Sequence, residues 1–220
     1  MGDFETVVKN AKAGQEIILQ EDYTGSLTIF DWIRLNLNKK TVTGTITVDL
    51  SGKKADGSRG AVEIVNGTIT GNRNDTSGYG GGGVCADSGD LTIDHCRITD
   101  NTAANGSGGG VSMGSKHGGT VENASLTIKD SVISGNTSTA QGGGISVSAS
   151  GSTDVTLSGN TILENTAGQD GGGIYLSRPE QSETAPDTTI CGNTIQKNSG
   201  KNGGGIYIRN SMPNRTIAGS

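Results

Sequence analysis

One eleven-residue block recurs five times in this chain with no gap inside any copy, at residues 62–72, 91–101, 126–136, 155–165 and 188–198. Its third position is apolar (Ile64, Ile93, Ile128, Leu157, Ile190), its eighth is always Ile (Ile69, Ile98, Ile133, Ile162, Ile195), and its eleventh is always Asn (Asn72, Asn101, Asn136, Asn165, Asn198). After each Asn comes a polar stretch of varying length. A glycine run follows, then apolar residues at alternate positions: Val84/Ala86, Val111/Met113, Ile145/Val147, Ile174/Leu176 and Ile206/Ile208. Alternation with period two marks a strand with one face turned inward. Each repeat therefore supplies three short strands, one after the glycines, one at the start of the block and one around the invariant Ile. A constant block joined by variable loops is the pattern of a solenoid with a fixed core and free corners. The predicted fold is an all-β, right-handed parallel β-helix of three strands per turn and about six to seven turns, with a short N-terminal capping helix.

Composition agrees with a thin coil. The chain is 30% hydrophobic and 3% aromatic with 38 glycines, lean for a compact globule but enough for one narrow column of stacked apolar residues. Disorder is excluded by the register of those residues and by the dominance of Val, Ile and Thr. In a coil of this kind equivalent residues lie one above another, about 4.8 Å apart, and backbone groups pair with the adjacent turn. The repeated Asn is expected at a corner, bonding backbone and tolerating left-handed dihedrals, and the glycines permit a sharp approach to the next strand. A second column, Gly67, Cys96, Ser131, Asn160 and Asn193, is small or polar and reads as another corner.

The whole of 1–220 reads as a single β-helix domain. Residues 1–14 form the capping helix, with Asp3 as N-cap and Phe4, Val7, Val8 and Ala11 on one face. Residues 15–60 form irregular opening turns, with Phe30 and Trp32 belonging to the cap. Residues 61–220 form the regular repeats. Residues 215–220 align with 188–193, so the chain is expected to be part of a longer parent chain whose remainder is a partner. The net charge of −5 and the lack of any Lys/Arg cluster speak against nucleic acid as a partner. No apolar run approaches the ~20 residues of a membrane span, so no membrane insertion is expected. Cys85, Cys96 and Cys191 have neither zinc-site nor disulfide spacing.

The pattern Gly-Gly-Gly-Ile/Val, followed about two dozen residues later by Ile-x-x-Asn, resembles the glycine-rich and x-x-Asn repeats of polymorphic outer-membrane and autotransporter-type adhesins, within the pectin-lyase-like β-helix superfamily. Residues 62–210 carry the resemblance. The adhesin repeats favour Gly-Gly-Ala and Phe-x-x-Asn; here Gly replaces Ala and Ile replaces Phe. The resemblance implies a bacterial protein that is extracellular or at the cell surface. It implies no single activity, because the superfamily includes lyases, glycosidases, tailspikes, epimerases and passive stalks.

Function must then come from a site. The outward residues after the glycine runs are Cys85, Ser112, Ser146, Tyr175 and Tyr207, mostly small. No catalytic residue, metal ligand or cofactor is assigned, since the sequence shows no outward carboxylates in stacked turns of the kind that hydrolysis or β-elimination needs. Asp94-His95, and Asp100, Glu164 and Lys197 near the Asn column, read as solvated corners, and His117 as part of a polar loop. Tyr175 and Tyr207 align in adjacent turns with Arg178 and Arg209 close by. Their stacked, exposed faces are the expected ligand-binding site, with a glycan or a host surface protein as the partner. The corner loops 114–125 and 178–187 are expected to contribute recognition. The leading reading is a non-enzymatic, adhesin-like stalk. The alternatives are a segment of a polysaccharide-active lyase or glycoside hydrolase and, from the outward column Thr92, Thr127, Thr156, Thr189 and Thr216, an ice-binding face.

Overall fold

A computed structural model describes residues 3–50, 61–77, 80–87, 89–114, 124–148, 153–177, 187–209 and 215–219. The chain winds into a parallel β-helix. Among the described residues, every strand pairs with the equivalent strand of the next coil in parallel, forming sheets of thirteen, seven and four strands. The register is the one the repeat dictates. Leu91 pairs with Val62 and Leu126, Ile98 with Ile69 and Ile133, and Ile145 with Val111 and Ile174.

The eleven-residue block supplies the largest sheet. In two coils it runs almost unbroken, as the strands Val62–Thr70 and Asp90–Thr99; in later coils it divides, as in Ala124–Lys129 followed by Val132–Ser134. The glycine-led strands Val84–Ala86, Val111–Gly114, Ile145–Ser148, Ile174–Ser177 and Ile206–Arg209 belong to the seven-stranded sheet. A short strand after the Asn, such as Thr102–Ala103 or Thr137–Ser138, forms the third sheet and was not singled out from the sequence. The inward residues Ile93, Ile98, Ile128, Ile133, Val111 and Ile145 are fully buried and stack into one apolar column.

Two inward polar ladders run beside that column. Asn101, Asn136 and Asn165 are 0% exposed. Each donates from Nδ2 to an Ile carbonyl of the coil below, Asn136 to Ile98 at 2.8 Å and Asn165 to Ile133 at 2.9 Å. The Oδ1 of Asn136 and of Asn165 accepts from both the backbone N–H and Nδ2 of the Asn in the coil below, whereas Asn101 Oδ1 accepts from the Asn72 backbone N–H. The expectation of left-handed dihedrals at these Asn is corrected. The left-handed residue is the preceding one, Asp100 (φ 57°), Gly135 (65°), Glu164 (56°) or Lys197 (55°), which turns the chain so that the Asn points inward. The second corner repeats the device. His95, Asp130, Gly159 and Gly192 have positive φ, and the residues after them, Cys96, Ser131, Asn160 and Asn193, form the second ladder.

Glycine runs have a steric cause, shown by residues 142–144. Gly142 (φ +64°) doubles back so closely that a Cβ would sit 2.3 Å from the Ile145 carbonyl oxygen. At Gly143 a Cβ would meet the Gly172 carbonyl of the next coil at 2.4 Å. At Gly144 it would meet the Gly173 carbonyl at 2.7 Å and the Asn165 side chain at 3.1 Å. Glycine and Asn thus recur together because the ladder packs against the third glycine of each run.

At the N-terminal end the helix Phe4–Asn10 covers the first coil, with Asp3 at the N-cap position but no side-chain capping bond. Val8 and Ala11 are buried, whereas Val7 is 45% exposed, because it lies on the flank of the stripe defined by Phe4, Val8 and Ala11. Residues 15–60, expected to be irregular, already hold paired strands: Glu16–Ile18 with Arg34–Asn36, and Leu27–Ile29 with Ile46–Val48.

Candidate functional site

The opening coils place a charged rank beside a hollow. Strand pairing sets Glu16 against Arg34 and Arg34 against Glu63. Because side chains alternate, Leu35 and Ile64 point inward and the three charged residues point outward. Arg34 bridges both carboxylates, from Nε to Glu16 Oε1 at 3.2 Å and from Nη1 to Glu63 Oε2. Asn36 Nδ2 also donates to Glu16 Oε1, at 3.2 Å. Two carboxylates and one guanidinium leave the rank with one net negative charge.

Next to this rank lies a hollow of about 330 Å³ whose lining includes Gln15, Trp32, Ile33, Arg34 and Glu63. Backbone bonds anchor it. The Trp32 carbonyl accepts from Gly14 N–H at 2.9 Å, and Arg34 N–H donates to the Gln15 carbonyl at 2.9 Å. Sequence reasoning missed this site. It assigned Trp32 to the cap and found no outward carboxylates in stacked turns, but Glu16 and Glu63 occupy one rank, two coils apart. The signal was there in the alternation of Glu16-Ile17, Arg34-Leu35 and Glu63-Ile64, once the three segments are aligned.

The structure brings together Tyr175, Tyr207 and Arg209 of the expected ligand site. Arg178 lies outside the described residues, as do His117 and most of the corner loops 114–125 and 178–187. The tyrosine rings are parallel within 2° with centroids 5.8 Å apart. Arg209 donates to the Tyr175 hydroxyl oxygen, and this bond raises the guanidinium pKa further. The expectation of two exposed aromatic faces is corrected for Tyr175, which is 3% exposed. Tyr207 covers one ring face, and Gly171 folds back so that a Cβ there would lie 2.9 Å from the Tyr175 Cα. The same back-folded glycine loops bury Cys85, Ser112 and Ser146, which also point away from the core. Tyr207 is half-buried and Arg209 exposed, so only the outer side of this pair is open.

The Thr rank exists, with Thr92, Thr127, Thr156, Thr189 and Thr216 in register. It is bordered by Asp90 and Asp154 on one side and by Asp94 and Lys129 on the other. Of the thiols, Cys96 donates to the Ile64 carbonyl at 3.4 Å, and burial pushes its pKa up to about 11, so it is a ladder residue rather than a nucleophile. Among the described residues no helix is long and apolar enough to cross a membrane.

A family model described as "Right handed beta helix region" matches residues 35–219. The match spans the Asn ladders, Tyr175, Tyr207, Arg209 and Glu63, and begins one residue after Arg34, so the hollow straddles its N-terminal edge. Comparison with curated proteins and with solved structures returned no match.

Proposed function

The chain belongs to the right-handed β-helix family, and from that premise we propose that it is a rigid cell-surface module of an adhesin-like bacterial protein that binds neutral glycans in the hollow beside Trp32. The observation that carries this reading is one hollow lined both by an aromatic residue, Trp32, and by the hydrogen-bonding residues Gln15, Arg34 and Glu63. The C–H face of a pyranose packs on the Trp32 ring, and its hydroxyls bond to Gln15, Arg34 and Glu63. The volume is that of a small-ligand site. The net negative charge of the rank disfavours uronates and selects uncharged sugars. The open edge of Tyr207 and Arg209 supplies a second contact surface along the rod. The adhesin-like placement rests on the glycine and Asn repeats.

The test uses the chain's single tryptophan. Titration with a panel of neutral and uronic-acid oligosaccharides is expected to give a saturable change in Trp32 fluorescence with neutral members alone. Calorimetry is expected to show the same binding weakened ~tenfold by Glu63→Gln, which removes one charge-assisted bond. If no neutral sugar alters the fluorescence, or if Glu63→Gln binds as tightly as the parent, the reading fails.

A second reading draws on the spacing of Glu16 and Glu63. Their carboxyl groups converge on the single Arg34 guanidinium, a close pair of outward carboxylates of the kind a glycosidase uses as acid and base. Release of reducing ends from a neutral polysaccharide, abolished by Glu63→Gln, would favour an enzyme over a binding module.

A further inference from the structure

Away from the hollow, the second corner of two successive coils gathers three metal-ligating side chains. His95 and Asp130 occupy the same place in consecutive blocks, with φ of 51° and 49°, and Asp94 precedes His95. One ligand atom from each of Asp94, His95 and Asp130 lies within 4.8 Å of the other two. His95 Nδ1 is 2.5 Å from Asp94 Oδ1, while Lys129 Nζ holds the other oxygen, Oδ2, at 3.2 Å.

We propose that Asp94, His95 and Asp130 form a binding site for a divalent first-row transition-metal ion such as Zn²⁺. One imidazole nitrogen with two carboxylate oxygens is a donor set that suits such ions better than the all-oxygen preference of Ca²⁺ or Mg²⁺. The backbone under the ligands is fixed. Asp130 N–H donates to the Ser158 carbonyl at 3.1 Å, and Cys96 N–H, directly after His95, donates to Ser131 Oγ at 3.1 Å. The spacing of the ligand-bearing residues is therefore the coil repeat itself, and their ligand atoms already lie within 4.8 Å of one another. Lys129 holds Oδ2 and leaves Oδ1 directed at the imidazole, where the ion bridges the two ligand atoms. The His95 side chain is 63% exposed, so water completes the coordination sphere.

Calorimetric titration of the full chain with Zn²⁺ tests the site. Expected is one saturable equivalent, weakened ~tenfold or more by His95→Asn and by Asp130→Asn and unchanged by Asp100→Asn at the other corner. Both site variants keep a residue that accepts the left-handed dihedral, as Asn66 (φ 59°) does at the same position one coil below. A Co²⁺ spectrum lacking a thiolate charge-transfer band separates this site from one at Cys191. Mn²⁺ added to the unmodified chain is expected to broaden the amide signals of residues 94, 95 and 130 first. Absence of saturable binding, binding that neither site variant weakens, a thiolate band, or broadening centred elsewhere overturns the proposal.

Discussion

Asn136 shows how much one side chain can carry in this coil. It donates to Ile98 O and to Asn165 Oδ1, and its own Oδ1 accepts from the backbone and side chain of Asn101. Replacing it with Ala strands several buried polar groups at once, each costing roughly 1–3 kcal/mol. Asn136→Ala is therefore expected to lower the unfolding free energy by at least ~3 kcal/mol in a urea titration. Asn198→Ala, at a partly exposed rung, should lose less; equal losses would contradict the ladder account. The recurrence of Asn was plain in the sequence, as was its place at a corner. Its inward direction was not, because that depends on the left-handed residue before it, which is variously Asp, Gly, Glu or Lys and carries no common sequence mark.

At the scale of the strand and its approach, the glycine runs separate two kinds of constraint. Gly14 has φ +79° and open space for 4 Å around the position a Cβ would take, so Gly14→Ala costs only the dihedral strain of about 1 kcal/mol. Gly144→Ala instead forces its methyl against the Gly173 carbonyl and the Asn165 side chain, for an overpacking cost on the order of 3 kcal/mol. Equilibrium unfolding of the two variants is expected to rank them in that order, and the reverse order would mean that the coils separate easily. The back-folded glycines also explain why Tyr175, read from alternation as an exposed platform, is 3% exposed. Alternation reports which face of a strand a residue occupies. It does not report whether another part of the same coil folds over that face.

For the molecule as a whole, each coil bonds mainly to its neighbours, so stability is greatest where coils are covered on both sides. Native-state amide exchange is expected to be slowest in Asp90–Thr99, Ala124–Lys129 and Thr153–Ser158 and faster in Glu16–Ile18 and Ile206–Arg209; uniform protection along the rod would count against this picture. The repeat by itself determined the parallel coil, its register and its apolar column, because residues with the same place in each block must stack when backbone bonds run between coils. The two places where chemistry gathers emerge in the folded coil. The hollow at Trp32 needs two opening segments to lie beside the first repeat block, and the Asp94, His95 and Asp130 cluster needs two corners, 35 residues apart, to superpose. Both are proximities across coils, set by winding rather than by neighbours along the chain.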